Sequence, residues 1–109
     1  MNYTKEQIIS LAKKILDDIE LEYYDDKEPF VEYGLAEAID KERGFVNIWS
    51  CNIKCYDWQF DSDEGAYCFV IDDEQDDLIF FIDASGGQIP HAYIKKDEDG
   101  KYYREYIPR

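Results

Sequence analysis

The chain has 109 residues, with 12 Lys and Arg against 26 Asp and Glu, so its formal net charge is −14. Hydrophobic residues make up 45% of the sequence and aromatic residues 17%, which is the composition of one folded domain and not of a disordered segment. So negative a charge argues against direct binding to the phosphate backbone of nucleic acids or to anionic membrane surfaces.

The first predicted element is an amphipathic helix over residues 4–20. Thr4 and Gln7 have the spacing of a capping box, in which two side chains accept hydrogen bonds from free backbone N–H groups at the start of a helix. The apolar residues that follow recur every three or four positions: Ile8, Leu11, Ala12, Ile15 and Ile19. The charged stretch 20–28 then predicts a connection that ends at Pro29.

From Phe30 onward the apolar period changes from 3.6 to 2, which predicts β-strands. The candidate strands are 30–39, 45–51, 53–60, 66–72, 78–84, 88–95 and 101–107. Residues 35–39 are also compatible with a short helix. The gaps between the candidates are turn-sized, too short for the crossover helices that parallel strands need.

These elements predict an α+β fold that forms a single domain over residues 1–109. In this fold the N-terminal helix packs on a curved antiparallel meander sheet of five to seven strands, of the kind seen in cystatin- and NTF2-like domains. Several strands are apolar on both faces, and one helix covers only one face of a sheet. We therefore expect the other face to curl on itself, to hold a pocket or to meet a partner, which includes a second copy of this chain.

The negative charge is concentrated in the middle of the chain. Residues 55–94 contain acids but no Lys or Arg, and most of these acids lie in the predicted turns 61–65 and 73–77. Solubilising surfaces ordinarily mix both signs of charge, because unrelieved like charge destabilises the compact state. The pattern therefore indicates a cationic protein partner, although acidic turns that merely keep the sheet soluble remain an alternative.

The residues predicted to bind this partner are Asp57, Trp58, Asp61, Asp63, Glu64, Asp72, Asp73, Glu74, Asp76 and Asp77. Their carboxylates would pair with Lys and Arg side chains, and Trp58 is the expected anchor because interface hot spots favour Trp. In a meander, turns separated by one strand emerge at opposite ends of the sheet. The two acidic turns therefore form one patch only if the sheet is strongly curved.

No catalytic residue, metal site or cofactor is predicted. The acids over 72–83 depart from a calcium-binding EF-hand loop, because the sixth position is Asp77 and not glycine. Cys51, Cys55 and Cys68 lack the C-x-x-C spacing of a zinc knuckle, and we expect buried free thiols in a cytoplasmic protein. The sequence has no nucleophile elbow and no phosphate-binding glycine loop, so we expect no enzymatic activity.

The stretch 67–79, YCFVIDDEQDDLI, consists of an apolar strand, an acidic turn and a second apolar strand. It resembles a unit found in the small immunity proteins of bacterial polymorphic and contact-dependent toxin systems, and 45–49, FVNIW, resembles the aromatic strand that often precedes it. Those families usually have a glycine in the turn, where this chain has Asp76 and Asp77. The resemblance implies a cytoplasmic immunity protein, or antitoxin, that neutralises a cognate basic toxin domain, in many cases a nuclease, by stoichiometric inhibition.

Two other functions stay open. A nucleic-acid mimic of the anti-restriction or anti-CRISPR type would use the same carboxylates against a host DNA-binding enzyme, in rows near the ~3.4 Å phosphate repeat or its multiples. A small-ligand-binding module would need a concave pocket on the open sheet face, lined by residues such as Tyr56, Trp58 and Tyr67, with the acids pointing away from it.

Overall fold

The computed structural model describes residues 2–75, 77–87 and 89–106. Its elements are α1 (Lys5–Asp18), β1 (Phe30–Leu35), α2 (Ala38–Glu42), β2 (Asn47–Asp57), β3 (Ser62–Asp72), β4 (Ile79–Asp83), β5 (Ala92–Lys96) and β6 (Tyr102–Tyr106). The strands form one antiparallel sheet in the order β1-β2-β3-β4-β5-β6. The predicted α+β fold, with a helix packed on an antiparallel meander, is confirmed.

Helix α1 begins where the capping box predicts. The Gln7 N–H donates to Thr4 Oγ1 at 3.2 Å, and the Thr4 N–H donates to Gln7 Oε1 at 2.8 Å. Of the predicted apolar stripe, Ile8, Ala12, Ile15 and Ile19 are buried, together with Leu16. The helix is therefore held on the sheet by the residues that its sequence period selects.

The strand boundaries differ from the prediction in several places. The first candidate, 30–39, is a strand only as far as Leu35, and the short helix α2 begins at Ala38. Strand β2 is continuous over most of the two candidates 45–51 and 53–60, because the apolar alternation runs through Asn52 without a change of face. The turn between β2 and β3 lies at 58–61, so most of the predicted turn 61–65 belongs to β3. Strand β5 starts after Pro90, which has no N–H to donate to a neighbouring strand.

The two faces of the sheet are covered differently. Against α1 lie the buried residues Trp49, Cys51, Ile53, Cys55, Tyr67, Phe69, Ile71, Ile79, Phe81 and Ile94. On the opposite face, Ala36 and Phe45 from the segment that contains α2 form a smaller buried cluster with Ile48 of β2 and Phe80 of β4. The Arg43 guanidinium carbon lies 4.4 Å from the centroid of the Phe80 ring and extends this cover.

Among the residues that the structure describes, no helix has both the length and the apolar content needed to cross a lipid bilayer.

Candidate functional site

Half of the predicted partner-binding residues lie together where β2 turns into β3. They are Asp57, Trp58, Asp61, Asp63 and Glu64, and residues 57–64 are called the tip surface below. The second predicted cluster lies at the far end of β3, an 11-residue strand, which at ~3.3 Å per residue separates the two clusters by roughly 30 Å. The acidic turns therefore occupy two ends of the sheet and do not form one patch.

Hydrogen bonds from its own backbone and side chains hold the tip surface in shape. Asp57 Oδ1 accepts from the N–H groups of Gln59 at 2.9 Å and Phe60 at 3.0 Å. The Tyr56 hydroxyl donates to the carboxylate of Asp61, which has a left-handed backbone with φ of 48°. Asp is one of the few residues that tolerate this conformation, so the turn has a defined shape.

Two large aromatic side chains project from this turn into solvent. Trp58 is 66% exposed and Phe60 is 71% exposed. The Trp58 ring packs against Tyr56 of β2, whose ring centroid lies 4.8 Å away in an edge-on arrangement. Exposed aromatic rings among polar residues are typical of protein-binding surfaces.

The connection between α1 and β1 adds further charged and aromatic groups to the tip surface. Tyr24 donates its hydroxyl to Asp63 Oδ1 at 2.7 Å, and this hydrogen bond raises the pKa of Tyr24 to about 12. Lys27 Nζ donates to the carbonyl oxygen of Asp63 at 3.2 Å. Glu64 is exposed, and its carboxylate makes no hydrogen bond or ion pair with the described residues. The tip surface is thus acidic, with the Lys27 ammonium at its edge. Lys27 lies outside residues 55–94, the stretch without Lys or Arg.

Asp72, which was predicted to bind the partner, lies inside the fold. It is fully buried, and its Oδ1 accepts from the N–H groups of Glu74 at 2.8 Å and Gln75 at 3.0 Å. Its Oδ2 accepts from the Val46 N–H at 2.8 Å. This carboxylate fixes the turn between β3 and β4 to the start of β2, so it is not part of an interaction surface.

Asp73 is also inside the fold, with 2% of its surface exposed. Its Oδ1 accepts from Trp49 Nε1 at 2.8 Å, and its Oδ2 accepts from the Asn2 N–H at 2.8 Å. Burial opposes ionisation, but these donors together with the Tyr3 N–H lower the pKa of the Asp73 carboxyl below its ordinary value. Glu74 and Asp77 are exposed in the same turn, and Asp76 lies outside the described residues.

The cysteines do not converge on one point. Cys51 and Cys55 belong to the buried cluster against α1, and burial raises the pKa of each thiol to about 12. Cys68 has the opposite parity on β3 and is half-buried on the other face, where burial also raises its pKa. All three are free thiols, and a sheet separates two of them from the third.

A cavity of about 520 Å³, called the aromatic cavity below, opens between the tip surface and the segment that follows α1. Its lining consists of Glu20, Leu21, Glu22, Tyr56, Trp58, Tyr67, Gly86, Gly87 and Ile89. The cup of Tyr56, Trp58 and Tyr67 was expected on the open sheet face, but it lies on the α1 side, because Tyr67 belongs to the cluster under α1.

The two acids that line the aromatic cavity, Glu20 and Glu22, are among the lining residues that were not predicted. They belong to the charged connection 20–28, which has no strand or helix period to assign them a direction. The small-ligand hypothesis expected the acids to point away from the rings, but Glu20 and Glu22 line the cavity together with the rings.

Carboxylates beside tyrosine and tryptophan rings recognise cations, through charge-assisted hydrogen bonds and through the negative face of the rings. The tip surface and the aromatic cavity share Trp58 and together offer both kinds of group. Comparisons with protein-family models, with curated proteins and with solved structures found no match for this chain.

Proposed function

We propose that this protein is a non-catalytic binding protein that neutralises a basic protein partner, as an immunity protein neutralises its cognate toxin domain. The partner binds at the tip surface, and the complex blocks the partner's active site or its groove for nucleic acid. The observation that carries the proposal is the pair of exposed aromatic rings, Trp58 and Phe60, on the tip surface, where four of the other six side chains are carboxylates.

This arrangement suits an interface better than it suits mere solubility. An apolar ring left in water forgoes about 25 cal/mol for each Å² that a partner would bury. Carboxylates around the rings steer a basic partner toward them and raise its association rate, while the rings supply the contact that slows dissociation. Solubility alone accounts for the carboxylates but not for Trp58 and Phe60.

The same observations favour the immunity protein over the nucleic-acid mimic. A mimic needs a long row of exposed carboxylates, whereas Asp72 and Asp73 are buried and the two acidic turns lie at opposite ends of β3. A small-ligand-binding module stays a second candidate, because the aromatic cavity has a volume within the range of about 300–1,000 Å³ typical of ligand sites.

The test is capture of the partner by immobilised protein from a lysate of the source cell, at low and then at high salt. We expect the wild-type chain to retain a basic protein at low salt and to release it at high salt. A tip variant, Trp58→Ala with Glu64→Lys, should lose this protein. A control variant with the same kind of charge change at the opposite end, Glu74→Lys, should keep it.

A second measurement connects capture with neutralisation. The captured protein is expressed in cells with the wild-type chain or with the tip variant, and cell growth is measured. The proposal expects growth with the wild-type chain and arrest with the tip variant. The proposed function fails if the tip variant retains the same proteins as the control variant. It also fails if the captured protein is equally harmful with and without the wild-type chain.

A further inference from the structure

We infer that the aromatic cavity is a binding site for one guanidinium group, the side chain of an arginine that the partner presents. The inference rests on the proposed function, because it names the group that anchors the basic partner beside the tip surface.

The walls of the cavity suit a flat cation. Tyr67 is 4% exposed and lies at the inner side, whereas Trp58 lies at the outer side, so aromatic surface lines the cavity from the interior to the solvent. Tyr56 and Trp58 stand edge-on to each other at 79°, which offers two ring faces in different directions. A planar guanidinium stacks on such faces, and the attraction strengthens where water is excluded.

The charged side chains among the described residues that line the cavity are acidic. Glu20 and Glu22 line it, both are exposed, and neither carboxylate makes a hydrogen bond or ion pair with the described residues. An adjoining cavity of about 600 Å³ shares both glutamates and is lined by Asp17 as well. No described Lys or Arg lines either cavity. A carboxylate accepts two parallel N–H groups from a guanidinium, a geometry that the ammonium of lysine does not offer, so we assign the site to arginine.

Glu20 is held at the edge of the cavity by the end of α1. The Leu21 N–H donates to Leu16 O at 3.0 Å and the Glu20 N–H donates to Asp17 O at 3.2 Å, which is the Schellman pattern of a helix end. In this pattern Glu20 has a φ of 61°, a conformation that favours glycine. The chain thus has a carboxylate at a position where glycine is the usual residue, on the rim of the aromatic cavity.

The opposite wall is fixed by close packing of two loops. The Trp58 N–H donates to Ser85 O at 2.6 Å, which joins the tip surface to the loop between β4 and β5. Gly86 has a φ of 77°, and a Cβ there would lie 2.6 Å from the Cβ of Gln59. Asp83 Oδ1, at the end of β4, accepts from the Ser85 N–H at 2.8 Å and so fixes the start of this loop. The cavity is therefore formed before a ligand enters, which lowers the entropic cost of binding.

The experiment uses the indole N–H signals of the ¹⁵N-labelled full chain. The protein has two tryptophans, Trp58 at the cavity and the buried Trp49, and Trp58→Phe assigns the two signals. N-acetyl-argininamide is titrated in, and then N-acetyl-citrullinamide, which has the same shape without the charge. We expect the arginine derivative to shift the Trp58 signal to saturation and leave the Trp49 signal in place, and the citrulline derivative to shift neither.

Two matched variants test the carboxylates. Glu20→Gln with Glu22→Gln should weaken binding of the arginine derivative by about tenfold or more, because two charge-assisted contacts are lost. Glu74→Gln with Asp77→Asn removes the same charge at the opposite end of β3 and should leave the affinity unchanged. The inference is overturned by an equal response to the citrulline derivative, by an absent response to the arginine derivative, or by unchanged affinity in the Glu20 and Glu22 variant.

The outcomes separate this inference from the proposed function. If the arginine derivative binds as expected but the tip surface retains no basic protein, the cavity assignment stands and the proposed function fails. If a basic partner is retained but the Glu20 and Glu22 variant retains it equally well and the Trp58 signal ignores arginine, the proposed function stands and the cavity assignment is wrong.

Discussion

The buried carboxylate of Asp73 joins the start of the chain to the sheet. It accepts hydrogen bonds from Asn2 and from Trp49, so the folded state favours its charged form. The pKa of Asp73 is therefore lower in the folded chain than in the unfolded chain, even though burial by itself would raise it. A group with a lowered pKa stabilises the fold above its unfolded value of about 3.9, and this contribution is lost as the pH falls through the folded value.

Asp73→Asn tests this pH dependence. At neutral pH we expect the variant to lose about 1–3 kcal/mol of unfolding free energy, because the charged acceptor of buried donors is gone. At acidic pH, once the pH has fallen through the folded pKa, wild-type Asp73 is protonated and the difference should shrink. Urea unfolding at the two pH values measures it. Glu74→Gln, a control on an exposed neighbour, should stay within about 0.5 kcal/mol of wild type at both. A difference that does not change with pH would contradict the assignment.

The burial of Asp72 and Asp73 was beyond sequence analysis for a physical reason. Aspartate is ordinarily exposed, and an acidic run after a strand is typical of a solvent-facing turn. The donors that draw these two side chains inward come from Val46, Trp49 and Asn2, which are 24 to 71 residues away in the chain. By contrast, Trp58 and the acids of the tip surface lie within eight consecutive residues, so their proximity follows from the sequence alone.

Strands β2 and β3 form the longest pairing in the sheet, and their register shifts once, between Cys55 and Asp57. Gly65 lies opposite this shift. A Cβ on Gly65 would lie 2.7 Å from the carbonyl oxygen of Tyr56 and 2.9 Å from the Asp57 nitrogen. The bulge therefore depends on a residue without a side chain, and it sets the direction in which the tip surface leaves the sheet.

Gly65→Ala tests the role of this close approach. We expect a loss of about 1–3 kcal/mol of unfolding free energy, because the new methyl group meets backbone atoms that have no freedom to move aside. Gly34→Ala in β1 is the matched control, since nothing lies within 4 Å of the added Cβ. The control should be neutral or slightly stabilising. Equal stability of both variants, measured by urea unfolding, would show that the backbones at the bulge are not in tight contact.

How well each element could be predicted depends on whether its signals are local. Helix α1 was predicted within two residues, because its capping box and its apolar stripe lie in one short segment. The turn between β2 and β3 was misplaced, because residues 62–65 have the polar composition of a turn but pair with β2 through the bulge. Pairing between strands is a tertiary interaction, and it overrides local preference there.

On the scale of the whole molecule, the charges are unevenly distributed. Strands β5 and β6 and the turn between them balance four bases against four acids (Lys95, Lys96, Lys101 and Arg104; Asp97, Glu98, Asp99 and Glu105), while the tip surface is acidic. The Lys96 ammonium lies 5.0 Å from the centroid of the Tyr102 ring, so part of this positive charge stacks on aromatic surface. A basic partner is therefore attracted more strongly to the tip surface than to the β6 edge, where the two signs of charge cancel, and this difference orients it before contact.

The order of the strands has a consequence for folding rate. Each strand pairs with the strand before or after it in the chain, so the sheet forms from contacts between nearby segments. The contact that joins the two ends of the chain is made by α1 and β6, where the Tyr102 N–H donates to Asp18 Oδ2 at 3.0 Å across 84 residues. Contacts between nearby segments form fast, and long loops close late.

Asp18→Ala should therefore act on unfolding more than on folding. We expect stopped-flow measurements to show faster unfolding with little change in the folding rate, because the junction of α1 and β6 forms after the transition state. A folding rate that falls in proportion to the lost stability would place this junction in the folding nucleus. If the junction forms last, it also opens first, and amide hydrogens of α1 should exchange with solvent faster than those in the middle of β3.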